Sequence, residues 1–116
     1  MNVPQSQNLH SQSFNSEFVE FVWRIPHDKS IHKKFLLHVE KDLSIYMTSE
    51  WIPADDNQLG FTNVTVFDRQ CKLDTLEEEM LNPKNWDVGT LPHGYNYFSN
   101  GKDLVELVKE SIEYLK

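Results

Sequence analysis

The chain of 116 residues is poor in the residues from which small proteins build catalytic and metal sites. It contains four glycines and a single cysteine, Cys71. One cysteine excludes a disulfide within the chain and a zinc site made of several thiolates. The glycines form no phosphate-binding or dinucleotide-binding loop, and no metalloprotease or serine-hydrolase motif occurs. We therefore expect no catalytic residue, no metal site and no cofactor.

Long apolar runs and an excess of positive charge are also missing. No stretch approaches the run of about 18 apolar residues that a transmembrane helix needs, and the first residues lack the basic and apolar regions of a secretory signal. The net charge is −7, which disfavours binding to nucleic acid or to an anionic membrane surface. Together with the lone cysteine, these features predict a cytoplasmic protein. They leave its oligomeric state open.

Apolar and aromatic residues are present in the amounts that a folded domain needs. The hydrophobic share is 39% and the aromatic share is 12%, enough for one core in a chain of this length. Residues 1–13 are rich in Gln, Ser and Asn and predict a disordered N-terminal tail. Residues 14–116 are predicted to form a single domain, since no linker or internal repeat interrupts them.

Alternating aromatic and β-branched side chains predict about four strands. Residues 17–25 give one strand, which Pro26 is expected to end, and residues 61–68 give another. Residues 33–51 read as a hairpin whose turn is the polar Glu40-Lys41-Asp42. Residues 17–25 and 33–51 also fit amphipathic helices, because apolar residues recur in them at helical spacing, so both interpretations stay open.

Two helices are predicted in the second half of the chain. The segment Asp74-Thr75-Leu76-Glu77 has the pattern of a capping box, and Asn82-Pro83 ends the short helix that it begins. The C-terminal helix has one apolar stripe, formed by Leu104, Leu107, Val108, Ile112 and Leu115. The predicted fold is α+β: a small antiparallel sheet of about four strands, with the short helix and the C-terminal amphipathic helix packed on one face.

The candidate binding residues combine exposed acidic groups with an aromatic loop. Residues 86–98 hold several aromatic side chains in a stretch with little regular structure, and Tyr and Trp are common anchors of protein interfaces. Acidic residues would attract a basic partner. The predicted partner-binding residues are Trp86, Asp87, Tyr95, Tyr97, Glu77, Glu78, Glu79, Asp55 and Asp56.

Two functions of different classes follow from these features. The first is a non-catalytic acidic module that binds a basic protein, such as an immunity-type inhibitor that neutralises a cationic toxin. The alternative is a small enzyme or ligand-binding domain with a pocket between the sheet and the C-terminal helix. In that alternative His38, Cys71 and His93 are the groups of interest. Arg69 and Lys72 lie on either side of the cysteine in the sequence and would favour its thiolate.

Overall fold

The computed structural model describes residues 9–53, 62–87 and 104–116. Its elements are β1 (Leu9–Phe14), β2 (Phe18–Asp28), β3 (Ile31–Glu40), β4 (Ser44–Pro53), β5 (Thr62–Gln70), α1 (Leu76–Leu81) and α2 (Leu104–Leu115). The strands form one five-stranded sheet in the order β1-β2-β3-β4-β5, and every pair of neighbours is antiparallel. The α+β prediction is confirmed, with five strands instead of about four.

The additional strand is β1, which lies in the stretch predicted as a tail. It pairs with β2 along the sheet edge. An edge strand is held by backbone hydrogen bonds to one neighbour and does not need an alternating apolar pattern, so Ser and Gln are accepted there. Phe14 ties its end to the fold: its ring packs edge-on against Phe21 at 5.5 Å and Tyr114 at 5.0 Å between ring centroids.

The core lies between one face of the sheet and the helices. Buried side chains alternate along the strands, and those of β2, β3, β4 and β5 join the buried residues of both helices in one cluster. The central strands contribute Val19, Phe21, Trp23, Phe35, Leu37, Val39, Ile45 and Met47. Residues 17–25 and 33–51 therefore form strands, and the helical alternative is wrong for both. We call the opposite side of the sheet the outer face.

Irregular pairing changes two details of the predicted strands. Strand β2 does not end at Pro26 but continues to Asp28, with a register shift between the two residues. A bulge accommodates proline, which has no N–H to donate to the ladder. In β5 the pairing passes over Val66, since Met47 pairs with Phe67 and Thr48 with Thr65. Val66 and Phe67 are both buried as a result, although strict alternation predicts opposite sides.

Helix α2 carries the predicted apolar stripe on its buried side. Leu104, Leu107, Val108, Ile112 and Leu115 all belong to the core, and Val105 and Ser111 are buried beside them. Within the described part of the chain, no helix is long and apolar enough to cross a bilayer.

Candidate functional site

Trp86, a predicted interface anchor, is part of the core. Its side chain is 7% exposed, and its ring lies 4.6 Å from that of Phe67. Its Nε1–H donates a 2.7 Å hydrogen bond to the backbone carbonyl of Met80 at the end of α1. An anchor needs accessible area that a partner can cover, and Trp86 offers almost none. Its ring fastens the segment after α1 to the sheet.

Glu79 also holds the fold together. Its Oε2 accepts hydrogen bonds from the backbone N–H of Lys72 and from the Thr75 hydroxyl, each at 3.0 Å. These two bonds hold the pKa of the Glu79 carboxyl below its usual value. The predicted capping box, with Asp74 as the cap and Glu77 three residues on, does not form. The N-cap residue is Thr75, whose side chain makes no cap and donates to Glu79 instead.

The other predicted partner-binding residues are exposed or lie outside the described residues. Glu77 and Glu78 point to solvent from α1, and Glu77 lies 3.5 Å from the Lys109 ammonium of α2. Asp87 is exposed, and its backbone N–H donates to the Val66 carbonyl of β5. Trp86 and Asp87 therefore connect α1 to β5, since Trp86 bonds to Met80 and Asp87 bonds to Val66. Asp55, Asp56, Tyr95 and Tyr97 lie outside the described residues.

The alternative function needs a ligand pocket between the sheet and the C-terminal helix, where core side chains lie. Cys71 is buried in the core cluster, and burial, assisted by the charge of Glu79, raises the pKa of its thiol to about 11. Such a thiol is protonated at neutral pH and is a poor nucleophile. His38 projects from the outer face, away from α2, and pairs with Glu20 and Tyr46 across the sheet. The space between the described strands and α2 is occupied by the core, while His93 lies outside the described residues.

His38 is the centre of a polar cluster on the outer face. Its Nδ1 lies 3.0 Å from Oε2 of Glu20, and its Nε2 lies 3.2 Å from Oε1 of Glu40. Each ring nitrogen therefore faces one carboxylate oxygen. Although it sits on the side of the sheet away from the core, His38 is only 8% exposed.

Two aromatic rings bury the imidazole. Phe18 stacks on one side, with ring centroids 4.7 Å apart, and Tyr46 stacks on the other at 4.6 Å. The three rings come from β2, β3 and β4, so the stack crosses the middle of the sheet. Rings in contact on neighbouring strands restrict one another's rotamers, and the cluster is therefore fixed before any partner arrives.

Carboxylates surround the outermost ring of this stack. Tyr46 pairs with His38 on one side and with Asp68 on the other. Burial raises the pKa of the Tyr46 phenol, and the negative charges of Glu20, Glu40 and Asp68 raise it further. We call this group the acidic end of the outer face: Phe18, Glu20, His38, Glu40, Tyr46 and Asp68.

A shallow depression borders the acidic end. It is lined by Glu17, Phe18, Glu40, Lys41 and Asp42. The turns before β2 and after β3 meet there, because the Lys41 N–H donates to the Glu17 carbonyl at 3.1 Å. The β3–β4 turn closes through a bond from the Leu43 N–H to the Glu40 carbonyl, with Leu43 in the left-handed region at φ 71°. This turn places Asp42 and Glu40 at the same rim.

Two further rows complete the outer face. Next to the acidic end, Leu36 pairs with Val22 on one side and with Thr48 on the other, and Thr48 pairs with Thr65. We call these four residues of β2 to β5 the central row. Beyond it, Arg24, Lys34, Glu50 and Asn63 pair in the same way, followed by His32 on β3. We call Arg24, Lys34 and His32 the basic end. On β2 and β3, charge therefore changes sign along the strands, from carboxylates near one set of turns to basic groups near the other, while Glu50 of β4 places one carboxylate in the same row as Arg24 and Lys34.

The acidic end was not among the residues predicted from sequence, although a signal for it was present. The turn predicted at 40–42 would set His38 opposite Ser44, but the observed turn is centred on Asp42, one residue later, and sets His38 opposite Tyr46. His38 and Glu40 occupy the positions of β3 that alternate with the buried ones. The link to Glu20 and Asp68 needs the register of β2 and β5, which bulges shift.

Comparison with known proteins gives no match. The chain matches no known protein-family model, and no curated protein and no solved structure is significantly similar to it. Among the described residues, no group of three or more His, Cys, Asp or Glu side chains has a geometry that could hold a metal ion. Function must therefore be inferred from the surface itself.

Proposed function

We propose that this protein is a non-catalytic binding module that docks a basic partner protein on the acidic end of its outer face. One observation carries the proposal: Asp68 pairs with the half-buried Tyr46, and His38, which stacks on the Tyr46 ring, contacts Glu20 and Glu40, all on the side of the sheet away from the described helices. A lysine or arginine of a partner placed there would meet carboxylates and an aromatic face together, and both attract cations.

The rigidity of the cluster supports this role. His38 fixes two carboxylates by contacts at 3.0 and 3.2 Å, and two stacked rings fix His38. Binding costs less free energy when the groups that make the contacts are already ordered. By comparison, Glu77 and Glu78 are exposed on the surface of α1, and Trp86 is buried.

An inhibitor is the kind of binding module that fits best. A net charge of −7 speeds association with a cationic partner, and a set of carboxylates neutralises the partner's basic surface. An immunity-type protein, which neutralises a cationic toxin by covering it, needs these properties and no chemistry of its own. The specific form of the proposal is therefore an immunity-type inhibitor of a cationic partner.

The test compares two paired charge removals of equal size. The first is Glu40→Gln with Asp68→Asn at the acidic end, and the matched control is Glu77→Gln with Glu78→Gln on α1. Each protein is titrated against a fluorescent arginine-rich peptide and, as a reference for non-specific charge effects, a lysine-rich peptide of equal length. Each is also used as bait in a lysate of the source organism.

We expect the first pair to weaken arginine-peptide binding about tenfold and the control pair to change it less than twofold, since surface charges outside a contact act weakly through screening. A basic protein retained by the wild type and the control, but lost with the first pair, would support the proposal. Equal losses from both pairs would show attraction by net charge alone and would overturn it.

A further inference from the structure

We propose that a second copy of this chain packs face to face on the outer face, with the strands of the two copies antiparallel. The inference goes beyond the proposed function, since it concerns the chain alone. It rests on the polarity of the outer face, whose acidic end and basic end lie on either side of the central row. Such a surface is complementary to itself.

A two-fold axis fixes the pairing. For two sheets to meet face to face, the axis must lie in the plane between them. When the axis runs perpendicular to the strands through the central row, each strand lies over the equivalent strand of the other copy, and the two run in opposite directions. Glu20 and Arg24 lie two residues on either side of Val22 on β2. Glu20 of each copy therefore meets Arg24 of the other, twice in the dimer.

The neighbouring strands give compatible contacts under the same axis. On β3, Glu40 and His32 lie four residues on either side of Leu36, so the carboxylate of one copy meets the imidazole of the other. On β4, Tyr46 and Glu50 lie two residues on either side of Thr48, and a phenol O–H can donate to a carboxylate. On β3 the axis also sets Lys34 of one copy against His38 of the other, where the carboxylates of Glu20 and Glu40 lie beside it.

The central row supplies the apolar middle of this interface. Val22 and Leu36 are half-buried and face outward, flanked by Thr48 and Thr65. Five strands spaced about 4.8 Å apart, each contributing about eight residues at about 3.3 Å, give a face of roughly 600 Å² per copy. A dimer would bury roughly 1,200 Å² in total, the lower limit for a specific interface. The expected dimer is therefore weak and reversible.

Self-association and partner binding then exclude one another. The basic end of the second copy occupies the acidic end at which the proposed function places a basic partner. Raising the concentration of the chain would reduce its capacity for the partner, and a partner would separate the dimer. The dimer itself does not require that any partner exists, so the two proposals are tested separately.

The test uses charge reversal on one strand and needs only the purified protein. Sedimentation velocity is measured at concentrations from about 10 to 1,000 µM, a range suited to weak association, for the wild type, Glu20→Arg, Arg24→Glu and an equimolar mixture of the two variants. In either variant alone, the two-fold axis opposes like charges twice. In the mixture, the introduced arginine faces the introduced glutamate, and the native glutamate faces the native arginine.

We expect the wild type to dimerise, each variant alone to be monomeric, and the mixture to regain the dimer. A wild type that stays monomeric throughout would overturn the proposal. Variants that dimerise alone, or a mixture that stays monomeric while both proteins retain the wild-type circular dichroism spectrum, would overturn the antiparallel arrangement.

Two further variants keep the test decisive if a charge reversal disturbs the fold. Leu36→Asp places a charge in the apolar middle without touching the His38 contacts, and it should abolish the dimer. Glu78→Arg reverses a charge on α1, away from the outer face, and should leave the dimer intact. A dimer that survives Leu36→Asp, or is lost with Glu78→Arg, would locate the contact elsewhere and overturn the proposal.

Discussion

The indole of Trp86 donates a 2.7 Å hydrogen bond to the backbone carbonyl of Met80. This bond links α1 to the segment that returns to β5, where the Asp87 N–H donates to the Val66 carbonyl. Helix α1 has only six residues and would not be stable alone. Trp86 thus acts as a tertiary fastener for a helix that has little stability of its own.

The substitution Trp86→Phe tests this fastening. It keeps an aromatic ring against Phe67 but leaves the buried Met80 carbonyl without its donor. We expect the free energy of unfolding to fall by about 1–3 kcal/mol, the usual cost of an unsatisfied buried group. Urea denaturation measures the change. Tyr114→Phe, at a ring that is 53% exposed, is the control and should cost much less. Equal costs would contradict the structural role of Trp86.

Glu79 should make the stability of the fold depend on pH in the acidic range. The Glu79 pKa is lowered in the folded state, first by the Lys72 N–H and then by the Thr75 hydroxyl. The unfolded state therefore binds more protons, and the stability that Glu79 supplies is lost as pH falls from its ordinary pKa through the lowered one. We expect Glu79→Gln to flatten the thermal stability profile between about pH 5 and pH 3, measured by calorimetry.

The control for this pH profile is Glu78→Gln, which removes the same charge from an exposed position on the same helix. The bonds from Lys72 and Thr75 go to Glu79 and stay in place in this variant, so the acid slope that they cause should remain. A profile that changes as much with Glu78→Gln as with Glu79→Gln would assign the slope to the total charge of α1, and not to the bonds that Glu79 accepts.

Cys71 should resist alkylation in the folded protein. Its pKa of about 11 leaves almost no thiolate at pH 8, and its side chain is 3% exposed. We expect iodoacetamide to modify it at least a hundredfold more slowly than in urea, since the thiolate is the reactive species. Mass spectrometry at timed intervals measures both rates. Similar rates with and without urea would contradict the burial of this thiol and reopen a chemical role for it.

The Tyr46 phenol reports the charges that surround it. Beyond the effect of burial, Glu20, Glu40 and Asp68 raise its pKa above the ordinary value of 10.0, because negative neighbours oppose the phenolate. Asp68→Asn removes one of these charges without touching His38, so the Tyr46 pKa should fall toward 10. Titration of the tyrosine Cζ resonance by NMR measures the shift. The same change caused by Glu78→Gln would mean that Tyr46 senses only net charge.

Sequence patterns predicted the parts of the fold that bury an alternating or helical stripe. Val19, Phe21 and Trp23 alternate because one side of β2 faces the core, and the stripe of α2 follows from the same requirement. Strand β1 lacked such a signal, since an edge strand is held mainly by its backbone. The bulge at Val66 was hidden because Val66 and Phe67 are both apolar and both suit the core.

The candidate site was harder to predict because burial decides what a polar or aromatic residue does. The sequence pattern assigned Trp86 and Glu79 to a binding surface, but each makes hydrogen bonds to the backbone of the protein itself. His38 acquires its two carboxylates from β2 and from its own strand only when the sheet registers are fixed. Residue types indicated an acidic binding protein, and the pairing of strands was needed to show where its charges converge.

The location of bound cations tests the account most directly. Uniformly ¹⁵N-labelled protein, held dilute so that it stays monomeric, is titrated with an arginine-rich peptide while backbone amide shifts are followed. The account predicts the largest shifts at Glu20, His38, Glu40, Tyr46 and Asp68 on the outer face. Largest shifts at Glu77, Glu78 and the exposed side of α2, with the outer face unchanged, would contradict it.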